Sequence, residues 1–423
     1  MVNFRPLCFF QSFRFITNSI LLFSSVHLTD VALARVSRDE CTALESDVPL
    51  AGEALNDAAS YAWTRDWEDR WDAGGSAARI SAGSLNAYKF LYVEQIRFEA
   101  NPDQSPLWLF LQRDRFDTAN EYESNNELDL TFPFRRENHL AASLITDSDS
   151  DKKFSDMGLA IGRRKNLVDF AEVFFWSVDH YYNTKELGDA RWITKPYSWG
   201  LRFSRPETGL PLRKFNVEID TPSRLRRGTD FCDYAKRSLT ATGDIGPNWR
   251  WAMHHVAKEK RISYGDATRD AQGGGIDDVN VSRAYNRIDV TWSALMPDES
   301  RWTAGAQLHN DILDRSDQNT RLERAEAILR ADRTGSIGNN FRGTLGLVAS
   351  RGNRDVDPIE KQTIEQVKFQ TGLEYLIIDK ATLTGSFRAL ANWDVDHLVT
   401  DFPFKKKQLR PWDGGLLQFS LYQ

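Results

Sequence analysis

Residues 88–100 read YKFLYVEQIRFEA, and the period of that stretch decides the fold. Tyr88, Phe90, Tyr92, Ile96 and Phe98 fall on one face of an extended chain, with Lys89, Gln95, Arg97 and Glu99 on the other, because successive side chains of a strand point to opposite sides. The same split recurs along the chain. Leu128, Leu130, Phe132 and Phe134 oppose Glu127, Asp129 and Thr131; Tyr197, Trp199, Leu201 and Phe203 oppose Ser198, Gly200, Arg202 and Ser204. Phe215, Val217 and Ile219 oppose Lys214, Asn216, Glu218 and Asp220, and Ile288, Val290, Trp292 and Ala294 oppose Arg287, Asp289, Thr291 and Ser293. Near the end, Val367, Phe369, Leu373, Tyr375 and Ile377 oppose Lys368, Gln370, Gly372 and Glu374.

Any half-buried antiparallel sheet alternates in this way, so the connections carry the discrimination. Short turns at 101–105, 135–138, 165–167, 206–210, 244–247, 297–300, 334–338 and 379–380 alternate with longer polar stretches at 117–125, 147–154, 183–195, 222–233, 264–280, 314–319, 351–361 and 396–407. Short turns at one end and long loops at the other are the pattern of a transmembrane β-barrel. Trp108, Trp249, Trp251 and Trp302 follow short turns, whereas Trp199, Trp393 and Trp412 sit near long loops, so the two groups fall at the two membrane interfaces. The competing reading is the aromatic core of a soluble β protein.

The composition agrees. The 423 residues carry 54 Lys plus Arg against 60 Asp plus Glu, a net charge of −6, which excludes the basic excess of a nucleic-acid binder. No apolar run of the length of a membrane-crossing helix follows the N-terminus, and helical periodicity is scarce. Arg5 and Arg14 precede an apolar run from Ile16 to Phe23, and Ala32-Leu33-Ala34 offers a cleavage point before Arg35. Residues 1–34 therefore read as a secretory signal peptide, the alternative being an unprocessed amphipathic helix. Its removal takes away Arg5, Arg14 and Asp30, leaving 389 residues with 52 basic and 59 acidic side chains, a charge of −7.

The signal peptide, the strand ladder and the alternating C-terminal run Leu417, Phe419, Leu421 resemble a Gram-negative outer-membrane β-barrel, a likeness of class that covers about residue 57 to the end. The resemblance implies an all-β, antiparallel up-and-down transmembrane barrel in the outer membrane, seated in outer-membrane lipid and lipopolysaccharide, with the last strand read by the barrel assembly machinery. Such chains usually end in an aromatic residue, whereas this one ends Tyr422-Gln423. Some seventeen strands can be counted from Tyr88, and even parity requires one more before it, giving about eighteen with sixteen as the fallback. Ala58 to Glu68 is the candidate for that first strand, reached through a small-residue loop from Gly74 to Ser84; Trp63, Trp67 and Trp71 at i, i+4, i+8 offer a helix instead. The domains are then 1–34 signal peptide, 35–56 a short periplasmic segment and 57–423 the barrel.

Cys8 leaves with the signal, and Cys41 and Cys232 are expected on opposite sides of the membrane as two free thiols. A bridge between them would require the N-terminal segment to thread the barrel.

The remaining site candidates are weak as motifs. Asp147, Asp149 and Asp151 at alternate positions could gather Ca²⁺, but Lys152 and Gly158 break the calcium-loop pattern, and a solvated acidic loop is expected. Lys405 to Lys407 and Arg224, Arg226 and Arg227 could hold lipopolysaccharide phosphates or an acidic polymer, or be ordinary exposed charge. His139 and Ser143, four residues apart on one strand, lie about 13 Å apart, too far for proton transfer, so no enzyme, no metal and no cofactor are expected.

Function is left to the inward face. Lys89, Arg97, Arg202, Lys214, Arg250, Arg283, Arg287, Arg301, Arg342, Lys368 and Arg388 are the expected lumen-lining residues, joined by Lys236, Lys258 and Arg324. The acidic residues Glu99, Glu127, Asp129, Asp169, Glu218, Asp220, Asp289, Glu326 and Glu374 are interspersed among them. A basic excess points to a channel for polar solutes, with a lean toward anions such as a sugar acid or an acidic polysaccharide being exported. The alternative is a closed barrel, its charges paired across strands, whose long loops bind or assemble surface polysaccharide.

Overall fold

The computed structural model describes residues 76–422 apart from the connecting segments 87–88, 100–107, 119–121, 136–137, 150–151, 167–168, 183–190, 195–196, 222, 272–276, 317–319, 358–359, 381–382, 402–403 and 408–411, and most side chains between 84 and 157. The expected signal peptide, the 35–56 segment and the strand or helix at 58–71 lie outside the described residues.

Eighteen strands form a ring. β1 (Ala77–Asn86), β2 (Lys89–Glu99), β3 (Trp108–Thr118), β4 (Tyr122–Arg135), β5 (Asn138–Asp149), β6 (Lys152–Asn166) and β7 (Asp169–Tyr182) pair antiparallel, each with the next. β7 pairs with β9 (Tyr197–Ser204), β9 with β10 (Lys214–Asp220) and β10 with β12 (Asp230–Ile245). β13 (Trp249–Ser263), β14 (Val279–Leu295), β15 (Arg301–Arg315), β16 (Thr320–Gly338), β17 (Phe341–Asp357), β18 (Glu360–Lys380) and β19 (Leu383–Asp401) continue in order. β19 pairs with β21 (Gly415–Tyr422), and β21 pairs back onto β1, with Ala77 facing Tyr422, Ile80 facing Phe419 and Ser84 facing Gly415. Closure removes both sheet edges, so no backbone row is left to face hydrocarbon unpaired.

The eighteenth strand is not where the sequence placed it. The small-residue segment expected as a loop is β1 itself. At this seam a side chain would clash: a Cβ on Gly83 would stand 2.1 Å from the Gly415 carbonyl oxygen.

Ala77 and Tyr422 lie at the same end of the barrel, the terminal end. Most connections there are short, although 205–213 is longer. The far end carries the accessory pieces: β8 (Arg191–Thr194) on β11 (Ser223–Arg227), β11 on β12, a one-turn helix α1 (Asp266–Ala271), and β20 (Phe404–Lys407) on β19. Several stretches expected as loops are strand instead: Asp147 to Asp149 end β5, Arg351 to Asp357 end β17, and Lys405 to Lys407 form β20. Above the membrane both faces of a hairpin meet water, so the alternation that marks a strand disappears from the sequence while the backbone ladder continues.

The outward row of β18 fixes the membrane belt. Val367, Phe369, Thr371, Leu373, Tyr375 and Ile377 run along it, preceded by Glu365. Those eleven residues, 367–377, match the length of a tilted membrane-crossing strand. Beyond the belt, exposed Arg351 and Glu365 pair at 3.5 Å, and Lys361 and Asp355 pair at 2.5 Å. Trp249 and Trp302 are exposed toward the terminal end, Trp199, Trp393 and Trp412 toward the far end, and Trp393 and Trp412 pack edge-on at 5.1 Å. The Arg333 guanidinium lies 5.6 Å from the Trp302 ring and donates to Asp298 at 2.6 Å in the turn below. Ser300 donates its hydroxyl to Asp298 at 2.6 Å, which holds that carboxyl below the usual aspartate range.

Cys232 corrects the thiol expectation: it is disulfide-bonded, and the only other cysteines in the chain are Cys8 and Cys41, both outside the described residues.

Leu345, on the outward row of β17, is more than half exposed. Leu345→Arg at mid-belt is expected to cost about 2–4 kcal/mol in lipid. Urea unfolding in liposomes measures it; an unchanged midpoint would mean that this row does not face hydrocarbon.

The inward face as candidate functional site

Partners across an antiparallel ladder share a face, so the inward rows can be followed strand by strand. Glu172 stands opposite Arg202, Arg202 opposite Asn216, Asn216 opposite Thr240 and Thr240 opposite His254. The row goes on through Arg287, His309 and Glu326.

Of the residues the sequence nominates, Arg202, Lys214, Arg250, Arg283, Arg287, Arg301, Arg342, Lys368 and Arg388 all lie on inward rows, as do Lys236, Lys258 and Arg324. Lys89 and Arg97 have the matching parity on β2, Arg97 opposite Ala77; their side chains are outside the described set. Asp169 does not join them: inward positions of β7 are even, Phe170, Glu172, Phe174 and Trp176, which leaves Asp169 on the outward parity beside its turn.

Many of these charges are paired, within a strand or between strands. Arg283 donates two hydrogen bonds to Asp311, at 2.9 and 2.7 Å, and the Asp311 side chain is almost fully buried. Arg330 reaches Asp289 at 3.3 Å and Thr291 at 2.7 Å, while Thr291 donates to Asp289 at 2.8 Å. Arg324 lies 3.3 Å from Glu326, Arg250 lies 3.6 Å from Asp244 and Arg342 lies 4.0 Å from Glu374. With its amide turned to satisfy its neighbours, Gln307 accepts from Arg287. Tyr285 hydrogen-bonds His309 at 3.1 Å and meets the His254 ring edge-on, which ties β13, β14 and β15 together at mid-strand. Among the described residues, no group of three or more His, Cys, Asp or Glu gathers for a metal. His139 and Ser143 stand opposite Gly162 and Gly158 on one inward row, their side chains outside the described set.

Two features escaped sequence reasoning. The first is an aromatic slot on β7: Phe174 and Trp176 are buried inward, and the Arg202 guanidinium sits 5.7 and 5.9 Å from their ring centres and 5.8 Å from that of Phe170. Arg202 also donates to Glu172 at 2.5 Å. Glycines make the room, since a Cβ at Gly158 would overlap the Trp176 ring and one at Gly200 would stand 2.7 Å from Phe174. Glycines facing aromatics across a strand pair were the available signal. The second is Asp413, which leads into β21 and closes over fully buried Lys368, its Oδ2 2.5 Å from Nζ.

Of the basic runs, Arg224 is committed to Asp233 in a two-pronged pair at 2.5 and 2.6 Å, and Arg226 donates to the Gly228 carbonyl at 2.6 Å. Arg224 therefore already has an acidic partner within the chain.

A closed eighteen-strand antiparallel ring, with apolar outward rows and charged inward rows, defines a transmembrane β-barrel of the outer-membrane class. Solved structures similar to this chain are barrels of that kind. OmpT of Vibrio cholerae is 10% identical over 82% of this chain and 98% of its own, with a TM-score of 0.37. A bacterial polysaccharide outer membrane secretin is 7% identical over 82% and 98%, with a TM-score of 0.38. The outer membrane protein opdK of Pseudomonas aeruginosa is 8% identical over 82% and 97%, with a TM-score of 0.34. No protein-family model and no curated protein matches.

Removing one partner of a buried pair leaves the other charge uncompensated. Asp311→Ala is expected to destabilise the barrel by about 3 kcal/mol, and Arg283→Met with Asp311→Leu to recover most of it. Chemical unfolding of the single and double variants measures the difference; equal losses would mean that the two groups do not interact.

Proposed function

We propose that this barrel is an outer-membrane channel for polar, anionic solutes, with acidic sugars and acidic polysaccharide as the class of cargo whose charge fits. The observation that carries this reading is the sign of the inward face on β13–β16. Arg250, Lys258, Lys260, Arg283, Arg287, Arg301, Arg324 and Arg330 stand there against Asp289, Asp311, Glu326 and Asp332, in a chain whose total charge is −6. Basic rings favour anions, and a ring of 16–18 strands is wide enough for an aqueous path. The pairing of many arginines with carboxylates leaves a polar wall held in fixed geometry, and the surplus of positive charge sets its selectivity. On this reading the long strands of the far end project from the cell, the termini lie in the periplasm, and outer-membrane lipid and lipopolysaccharide surround the apolar belt.

A second reading has a specific observation behind it. Inward side chains are deeply buried, Lys368 and Gln370 among them, which favours a closed barrel whose far-end strands and loops bind or assemble surface polysaccharide.

Planar-bilayer recording under a salt gradient separates the two. Arg287→Glu together with Arg342→Glu is expected to move the reversal potential toward cation preference, because each swap changes the wall by two charges and a narrow pore focuses their field. A variant that folds and conducts with unchanged preference would remove these arginines from the path. A wild type silent both with and without reducing agent would contradict the channel.

A further inference from the structure

On the outer wall, where β6, β7, β9 and β10 approach the terminal end, the surface is hollowed rather than flat. Ala171, Phe203 and Phe215 form the floor as one outward row, Ala171 opposite Phe203 and Phe203 opposite Phe215, with the two phenyl rings stacked at 6.2 Å. Ile161, Val173 and Leu201, each about half exposed, make the side toward mid-membrane. Gly162, Glu172 and Arg202, inward by parity, also border the hollow, yet its lining is almost wholly apolar. The space is about 580 Å³, within the roughly 300–1,000 Å³ of sites that hold a small ligand.

The remaining side is a built ledge. Between β9 and β10 the Asp244 amide donates to the Leu210 carbonyl and the Arg213 amide donates to the Thr242 carbonyl, both at 2.7 Å, so the chain follows the end of β12 with Pro211 and Leu212 between those two bonds. The Trp251 indole donates to the Pro211 carbonyl at 3.0 Å. Trp251 stands opposite Gly243, both on outward parity, and a Cβ at Gly243 would collide with that carbonyl oxygen. The glycine and the indole therefore hold the ledge on the outer surface, and Leu212 lines the hollow from it.

Water finds too few polar partners in such a hollow, and an empty one forfeits dispersion contact along its walls. A hydrocarbon chain of the surrounding bilayer meets both conditions. The mouth then selects the head group. Exposed Arg163 stands opposite Ala171 at one end of the floor row, and exposed Arg205 follows Phe203 by two residues. Asp169, on the outward parity of β7, and exposed Glu207, in the connection from β9 to β10, bring carboxylates to the same level. All four lie within three residues of the terminal end of β6, β7 or β9, where the polar head-group region meets the wall. Guanidinium groups bind phosphate and carboxylates bind ammonium, so a head group that carries both charges fits this mouth better than one that is only anionic. We propose that the hollow is a phospholipid site that takes one acyl chain of an ethanolamine phospholipid, its phosphate at Arg163 and Arg205 and its ammonium at Asp169 and Glu207. The site rests on the barrel's lipid face and stands without the channel reading; in the orientation of that reading the lipid belongs to the periplasmic leaflet.

Native mass spectrometry of the full-length protein, released into mild detergent from vesicles of equal phosphatidylethanolamine and phosphatidylglycerol, tests the site. One phosphatidylethanolamine per barrel is expected to survive release, several-fold in excess over phosphatidylglycerol. Ala171→Trp, which fills the hollow with a side chain suited to the interface, is expected to lower that retention several-fold while heat-dependent gel mobility and vesicle flotation stay as in the wild type. Arg163→Glu with Arg205→Glu is expected to abolish the preference for the ethanolamine lipid. Retention of no lipid by the wild type, or equal retention by Ala171→Trp, would overturn the site, and equal retention of both lipids by the wild type would overturn its head-group assignment. Bilayer conductance is expected to be the same in the wild type and Ala171→Trp. Silence in that assay would sink the channel and leave this site standing, whereas a wild type that fails to float with vesicles would sink both.

Discussion

Ring closure through backbone hydrogen bonds is the constraint on which everything else depends. In hydrocarbon an unpaired peptide group costs several kcal/mol, so a sheet can cross a membrane only if its first and last strands find each other. Here they do so over eight residue pairs, from Ala77 with Tyr422 to Ser84 with Gly415. The seam is built from small residues at its tightest point, Gly83 against Gly415, because the backbones approach too closely for a side chain. Once the ring is closed, the pleat decides the rest: odd and even positions separate into a lipid face and an interior face, and neither can be changed without reversing the other.

The interior inherits a problem that a soluble core does not have. Its charges are held away from bulk water, and they meet it mostly by pairing, as Arg283 with Asp311 and Arg330 with Asp289 do between strands. The pairing fixes each guanidinium in place, which gives a wall of defined charge rather than a set of mobile side chains. Where aromatic rings point inward, on β7, neighbouring glycines accept them and Arg202 lies against their faces. The apolar row at the far end is the exception, since apolar residues gain nothing from facing an aqueous interior. That row, Leu225, Cys232, Ile262, Val279, Val281, Leu313 and Leu322, is nevertheless buried, with Tyr264 packed against it.

Sequence pattern was informative wherever one strand face meets lipid and the other does not. It placed Arg287 and Lys368 on inward rows, and Val290 on an outward one, from period alone. It failed where that contrast vanishes. β1 reads as a loop because the seam calls for Ala, Gly and Ser, which carry no alternation. Arg351 to Asp357 reads as a loop because beyond the belt both faces are wet. Asp169 was assigned inward, whereas the inward positions of β7 are even; it sits beside a register shift between Arg164 and Asn166 of β6. Cys232 could not be read locally at all, since the only other cysteines of the chain, Cys8 and Cys41, are distant in sequence.

The central claim is the closed eighteen-strand ring, and a cross-link at the seam tests it most directly. Ala78 faces Leu421 in the β1–β21 ladder. In a Cys41→Ser, Cys232→Ser background, Ala78→Cys with Leu421→Cys should oxidise to an intramolecular bond in isolated outer membranes, locking the first strand to the last. Failure of that pair to cross-link, in a protein that still shows the heat-dependent mobility of a folded barrel, would mean that other strands form the seam and would contradict the ring described above.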